Sequence, residues 1–299
     1  MGAPRPSTVE EKRDALLRLR LRRRREEALA GRASSAPPEE RRPRPDRHAV
    51  SPLVPLAHAG TKPPLFLVHA AGGSVAPYVT LAALLGGDRP VYALEDPGLH
   101  GGATEGRGLP DLAATYLAAV REVQPGGPLH LGGWSVGGAV ALDMARQDGD
   151  VALTFVLDTA LPDGPSDPGD DELRAWFAAD VAAMGAEPDD AEVAERFPVF
   201  AANVRGLLAF RPSRVNGRVV LLWAGDTGDS GDTGDTDNAA DTDSAADAGN
   251  ADLAMLGRWR AYADEIRTVP GDHYTMLQPA HARALADVMR DRLSEVSVR

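Results

Sequence analysis

The sequence contains no cysteine and no long apolar run among its 299 residues. The lack of cysteine excludes disulfides, thiolate metal sites and a cysteine nucleophile. No apolar run approaches the roughly 18 residues that a membrane-spanning helix needs. The arginine-rich N-terminus also lacks the apolar core of a signal peptide. We therefore expect a cytoplasmic protein with no membrane partner.

Positive charge is scarce outside the N-terminal segment. The formal net charge is -12, yet residues 1–50 hold 14 Arg/Lys against 8 Asp/Glu, a balance of +6 that leaves -18 on the remainder. An acidic main body argues against nucleic acid as the principal partner.

The N-terminal segment has the pattern of a basic helix followed by a linker. Residues 7–30 begin with a capping-box pattern and end before Gly31, and residues 32–52 are rich in Pro, Arg and Glu. Two interpretations stay open for residues 7–30: a solvated, partly helical tail, or a helix that docks on a partner protein. We assign residues 1–51 to this helix and linker, and residues 52–299 to the main domain.

Short apolar runs alternate with helix-like segments throughout the main domain, which predicts βαβ units and a parallel sheet. The predicted strands are 65–69, 90–94, 128–133, 152–158, 218–225 and 265–269. The predicted helices lie near 76–85, 109–123, 137–147, 253–263 and 279–293. Right-handed crossovers would bring the loops after the strands to one edge of the sheet.

Two insertions interrupt this alternation. Residues 162–212 contain two stretches with helical apolar spacing, which would form either a lid over the sheet edge or an ordinary packed helical pair. Residues 226–250 contain eight Asp and no basic residue. A calcium loop of the EF-hand type needs a closing Glu, which this stretch lacks, so its composition favours a disordered acidic loop.

The chemistry-bearing motif is Gly133-Trp134-Ser135-Val136-Gly137, which follows a predicted strand and precedes a predicted helix. This context is typical of a nucleophile elbow, in which a strained turn presents the serine and needs tiny flanking residues. The glycines would also suit simple close packing of a strand on a helix.

A serine nucleophile needs a base and an acid, and the α/β-hydrolase architecture orders them Ser, acid, His along the chain. His273, in a Gly-containing loop after the last strand, is the candidate base, while His281 lies in a helix-like segment. Asp158 and Asp226 both follow strands. We favour Asp158, because Asp226 opens the acidic run, although Asp158 could instead cap a turn.

An oxyanion hole needs two N–H donors. One is expected from Val136, directly after the serine, and the other from the loop after an early strand, here residues 69–73. A phosphate loop is the alternative for this glycine pair, but no G-x-x-x-x-G-K-[ST] pattern occurs in the chain.

Five motifs, taken in order, resemble the thioesterase domains of nonribosomal peptide and polyketide synthetases: P-L-F-L-V-H-A-A-G-G-S, G-D-R-P-V-Y-A-L-E-D-P-G-L, G-G-W-S-V-G-G, V-L-D-T-A-L-P and V-P-G-D-H-Y-T-M-L. The resemblance covers roughly residues 52–295. It implies the α/β-hydrolase fold, a mostly parallel sheet flanked by helices with a helical lid. By the same match Ser135 is the nucleophile, Asp158 the acid, His273 the base and Ala71 the second oxyanion donor.

The resemblance further implies a thioesterase that releases a peptide or polyketide chain from the phosphopantetheine of a carrier protein, by hydrolysis or macrocyclisation. No cofactor or metal of its own is implied; the partner is a carrier protein or synthetase, with residues 7–30 as a candidate tether. Because no carrier-type serine motif precedes the domain, the chain looks free-standing. The alternatives are an editing (type II) thioesterase, a general esterase, and an inactive hydrolase-fold interaction protein.

Overall fold

The computed structural model describes residues 51–185, 190–225 and 252–296. The predicted helix at 7–30, all but the last two residues of the predicted linker at 32–52, and the acidic segment at 226–250 lie outside these residues, so those interpretations stay predictions. Within the described ranges, no helix is long and apolar enough to cross a membrane.

A seven-stranded sheet with the order β1-β3-β2-β4-β5-β6-β7 forms the centre of the domain. All neighbouring strands are parallel except β1, which runs antiparallel to β3. The strands are β1 (Leu53–Ala57), β2 (Leu65–Val68), β3 (Val91–Leu94), β4 (Leu129–Trp134), β5 (Val151–Leu157), β6 (Arg218–Ala224) and β7 (Glu265–Val269).

Helices connect most of these strands, as the alternating pattern predicts. They are α1 (Val79–Leu85), α2 (Leu109–Val123), α3 (Val136–Asp148), α4 (Asp170–Ala183), α5 (Asp190–Ala209), α6 (residues 252–259) and α7 (Ala282–Val296). The mostly parallel sheet with flanking helices is therefore confirmed.

The sheet is buried on both faces, because its side chains alternate between two apolar layers. Leu65 and Leu67 of β2 point into the layer that α1 and α7 cover. Phe66 and Val68 point into the opposite layer, which α2, α3 and the inserted helices α4 and α5 cover. The insertion at 162–212 thus packs on the same side of the sheet as α3.

Several element boundaries differ from the sequence prediction, and two of them have a visible structural cause. The helix expected from residue 76 starts at Val79, after a 3-10 turn at Ala76–Tyr78 that contains Pro77. The helix expected to continue to residue 263 ends at residue 259, where the Ala263 N–H closes a turn onto the Trp259 carbonyl. Neither shift changes the order of elements.

Candidate active site

Ser135 occupies a strained turn between β4 and α3, with φ 58° and ψ -127°. Among the described residues, the other non-glycine residue with positive φ is Asp158, with φ 43°. A Cβ added to Gly133 would lie 2.1 Å from the carbonyl carbon of Gly137, and a Cβ added to Gly137 would lie 2.3 Å from the Val68 oxygen. Both positions therefore exclude even a methyl group, as the elbow pattern requires.

Hydrogen bonds from the neighbouring strand hold this turn. The Ser135 N–H donates to the Leu157 carbonyl at 2.9 Å. The Ser135 carbonyl accepts from the buried Thr159 hydroxyl at 2.8 Å and from the Gly138 N–H at 3.1 Å. The Thr159 carbonyl is in turn bound by the indole N–H of Trp259 at 2.8 Å. Strain at Ser135 is thus maintained by contacts that originate in β5 and α6.

Asp158 follows β5 directly and is fixed by β6. Its N–H donates to the Leu222 carbonyl at 2.9 Å, and its Oδ1 accepts from the Ala224 N–H at 2.9 Å. Its Oδ2 lies 2.6 Å from Nδ1 of His273. The backbone contacts to β6 therefore leave one carboxylate oxygen for the imidazole.

His273 lies in the loop between β7 and α7. The carboxylate of Asp272 accepts from the N–H groups of Tyr274 and Thr275, both at 2.9 Å, which fixes the turn around the histidine. The imidazole also packs against the Trp134 ring, with centroids 5.2 Å apart. Because Nδ1 faces the Asp158 carboxylate, Nε2 is the ring nitrogen that can accept a proton.

The two expected oxyanion donors lie on elements that touch. Val136 is the first residue of α3, and Ala71 lies in the loop after β2. A Cβ on Gly137 would be 2.4 Å from the His69 carbonyl oxygen, so this loop abuts the start of α3. In the ranges that the structure covers, neither the Ala71 nor the Val136 N–H donates to a protein acceptor. The α3 dipole adds positive potential there.

Of the two alternative candidates, Asp226 and His281, the structure describes only His281. Asp226 lies outside the described residues. His281 sits just before α7, where its N–H donates to the Gln278 carbonyl at 3.0 Å and its ring borders Gly271. The structure therefore brings His273, and not His281, to the carboxylate of Asp158.

The inserted helices contribute polar groups that the sequence patterns do not indicate. Asp180 of α4 interacts with His273 and Tyr274; burial raises the pKa of Asp180, and His273, Tyr274 and Arg196 oppose that rise. Asn203 of α5 is buried and contacts the loop after β2. A cluster of three or more potential metal ligands is not found in the described part of the chain.

The fold and the strained serine turn define the chain as an α/β-hydrolase-type protein. The family model of the thioesterase domain matches residues 63–293. The chain therefore belongs to the thioesterase-domain family, and the resemblance that the motifs indicated is confirmed. Membership in this family implies a hydrolase.

Relatives by sequence and by structure agree with this assignment. The chain is 39% identical over 158 residues to a dimodular nonribosomal peptide synthase of Bacillus subtilis, which covers 49% of this chain and 7% of the synthase. It is 39% identical over 120 residues to chondramide synthase of Chondromyces crocatus, which covers 39% of this chain and 3% of that protein. The chain thus spans a small fraction of these relatives.

Among solved structures, the NocB thioesterase domain from the nocardicin cluster has a TM-score of 0.62 and 27% identity, over 82% of this chain and 100% of that one. A four-domain nonribosomal peptide synthetase matches with a TM-score of 0.63 and 24% identity, over 82% of this chain and 20% of that chain. At 24% identity, the similarity to this synthetase shows a shared fold alone.

Proposed function

We propose that the chain is a serine thioesterase that releases a peptide or polyketide acyl chain from the phosphopantetheine thioester of a carrier protein. The observation that carries the proposal is the 2.6 Å contact between Asp158 Oδ2, directly after β5, and His273 Nδ1, in the loop after β7, at the same sheet edge as the strained turn of Ser135. This arrangement supplies an acid, a base and a nucleophile in the order that the fold requires.

In the acylation step, His273 Nε2 takes the proton of the Ser135 hydroxyl while Oγ attacks the thioester carbonyl. The N–H groups of Ala71 and Val136 stabilise the oxyanion that forms. The carbon–sulfur bond then breaks, and the phosphopantetheine thiol leaves with the proton that His273 returns. Asp158 holds the imidazole in the tautomer with hydrogen on Nδ1 throughout.

In the deacylation step, His273 deprotonates water, or an amine or hydroxyl of the acyl chain itself. Attack on the ester restores Ser135 and gives a linear acid or a ring. The phosphopantetheine is attached to the carrier protein, so the proposed reaction uses no cofactor bound to the thioesterase chain. Residues 7–30 are proposed as the tether to the synthetase that carries the substrate.

Active-site labelling tests the nucleophile. A fluorophosphonate should label the wild-type chain, and Ser135→Ala should abolish labelling. Ser294→Ala, at a serine whose hydroxyl bonds only the Arg290 carbonyl among described groups, is the matched control and should label fully. The probe is apt, because the NocB domain, 28% identical, forms a covalent complex with a fluorophosphonate nocardicin G analog. An unlabelled wild type would favour the inactive interaction protein.

A comparison of two loaded carrier proteins distinguishes chain release from editing. A carrier loaded with a long peptidyl chain and one loaded with acetate are offered at equal concentration. Chain release predicts a higher kcat/KM for the long chain, and an editing enzyme predicts the reverse. Mass spectrometry of the product then distinguishes the linear acid from the ring.

A further inference from the structure

The loop that carries Ala71 is fixed on both sides by buried side chains. The Ala70 carbonyl accepts from His69 Nδ1 at 2.6 Å and from the Gly73 N–H at 2.9 Å. Because a trans peptide points its N–H opposite to its carbonyl, these bonds fix the direction of the Ala71 N–H. The next carbonyl, that of Ala71, accepts from Asn203 Nδ2 at 3.1 Å. Both peptide planes around Ala71 are therefore held.

His69 belongs to the loop itself, whereas Asn203 belongs to α5 of the insertion. Burial lowers the pKa of His69, with Asp96 acting against that shift, so the imidazole is neutral. Its Nδ1 faces a carbonyl and so carries the proton, while Nε2 accepts from the Tyr116 hydroxyl at 2.5 Å. The first peptide plane is thus fixed by the core, and the second depends on α5.

The amide of Asn203 can adopt only one orientation. Its Nδ2 also donates to Asp96 Oδ2 at 2.9 Å, and its Oδ1 accepts from Arg107 Nη2 at 2.9 Å. A carboxylate only accepts and a guanidinium only donates, so a flipped amide would lose both partners. The donor to the Ala71 carbonyl is therefore set by this pair.

Asp96 and Arg107 form a bidentate ion pair, with both N–O distances at 2.7 Å. Asp96 is fully buried, and its Oδ1 also accepts from the Gly98 N–H at 2.8 Å. Burial would raise the pKa of Asp96, but hydrogen bonds from Arg107 and Asn203, with the charge of Arg107, hold it below its usual value. Asp96 is thus a carboxylate that anchors Asn203 to the core.

One face of α5 lies against this loop, because the contact residues recur at helical spacing. A Cβ on Gly72 would be 3.7 Å from Arg196 Nη2, and one on Gly73 would be 2.8 Å from Val199 Cγ1. Arg196, Val199 and Asn203 are separated by three and four positions, which puts them on one side of the helix. Helix α5 of the insertion therefore packs directly against the loop that carries Ala71.

We propose that Asn203 is a positioning residue for the oxyanion donor: by holding the Ala71 carbonyl, the inserted helix α5 restrains the Cα of Ala71, which this peptide shares with the peptide that carries the donor N–H. This inference rests on the proposed function, since it needs a serine enzyme with Ala71 as donor. It assigns to the insertion a part in transition-state stabilisation, in addition to any part in substrate access.

The test uses the full chain and two Asn203 variants. Asn203→Ala removes the amide, and Asn203→Asp keeps its shape but places an acceptor against the Ala71 carbonyl. Each should lower kcat for an N-acetylcysteamine acyl thioester by about 10- to 100-fold, with KM within about threefold. Each should also weaken binding of an alkylboronic acid, which forms a tetrahedral anion on Ser135, by a similar factor. The pH profile of kcat/KM should not move.

Arg205→Ala is the matched control, because Arg205 on the same helix pairs with Asp170 Oδ1 at 2.6 Å and faces the neighbouring helix α4. It should keep wild-type kcat and boronate affinity even if thermal stability falls. Folding of every variant is checked by circular dichroism. If one Asn203 variant fails to fold, the other decides; if both fail, Arg107→Lys, which breaks the bidentate pair, decides on the same two readouts.

A folded variant with wild-type kcat and wild-type boronate affinity overturns the proposal. So does equal loss in Arg205→Ala, which would mean that any loosening of the insertion has the same effect. These outcomes are distinct from failure of the proposed function, in which the wild type itself neither reacts with fluorophosphonate nor hydrolyses the thioester.

Discussion

Asp158 and His273 are 115 residues apart in the chain, yet Oδ2 of the first lies 2.6 Å from Nδ1 of the second. The carboxylate is not free to move toward or away from the ring, because the Ala224 N–H holds its other oxygen. The Asp158 backbone is itself bonded to β6 through the Leu222 carbonyl. The pairing is therefore built into the sheet edge rather than into the loops alone.

This geometry predicts that Asp158→Asn lowers kcat by about 10³- to 10⁴-fold, because an amide that donates to Nδ1 would select the wrong tautomer. KM should change little. The measurement is steady-state hydrolysis of an acyl thioester. Asp226→Asn is the control and should stay within about twofold of wild type. Activity that survives Asp158→Asn and collapses in Asp226→Asn would mean that the acid is Asp226.

The close approach at Gly137 makes a second prediction. Gly137→Ala would force a Cβ to 2.3 Å from the Val68 oxygen, a backbone atom that cannot rotate away. We expect a loss of about 2–4 kcal/mol in the free energy of unfolding in urea, with loss of esterase activity. Gly126→Ala, where an added Cβ meets nothing within 4 Å, should change stability by less than about 0.5 kcal/mol. Equal stability of the two variants would contradict the elbow geometry.

Thr159 provides a third prediction, because its hydroxyl binds the carbonyl of Ser135 at 2.8 Å and is buried. Thr159→Val keeps the side-chain volume but removes that donor. We expect a loss of about 1–2 kcal/mol in stability and a lower kcat, since the strained turn loses a restraint. Thr159→Ser retains the hydroxyl and should keep more of the activity. Fully active Thr159→Val would show that the Gly138 N–H suffices to hold the turn.

Much of the site could be predicted because its chemistry is concentrated in short motifs. The tiny residues around Ser135 reflect a steric limit that the structure shows at Gly133 and Gly137. Strand periodicity put Asp158 and His273 after strands of one parallel sheet, and parallel strands bring such residues to one edge. The order of the elements after β1 followed from the same periodicity.

Other features left no pattern in the sequence. The antiparallel edge strand β1 contains Pro55 and a register shift next to it, so it does not show regular strand alternation. Asn203 lies in a largely apolar helix, 132 residues from the Ala71 carbonyl that it binds. Thr159 belongs to no motif that assigns it a role. Such roles depend on long-range packing, which local propensity does not encode.

The buried His130 of β4 predicts how stability depends on pH. Burial lowers its pKa to about 4, Arg89 acts in the same direction, and the Pro63 and Pro64 carbonyls oppose the shift. The unfolded histidine, with a pKa near 6.5, binds a proton that the folded one does not bind until about pH 4. This contribution is therefore complete above pH 6.5 and is lost as the pH falls toward 4, by up to about 3 kcal/mol.

Urea unfolding of the wild type and of His130→Leu at pH 7.5 and 4.5 measures this contribution. Because His130 Nδ1 is buried with no hydrogen-bond partner in the described part of the chain, His130→Leu should be no less stable than wild type at pH 7.5. Its stability should also fall less between the two pH values, by about 2–3 kcal/mol. The buried His69 has a pKa lowered in the same direction and is present in both proteins, so it cancels in the comparison. Identical pH slopes would mean that His130 titrates alike in the folded and unfolded chains, and that its burial in β4 does not oppose protonation.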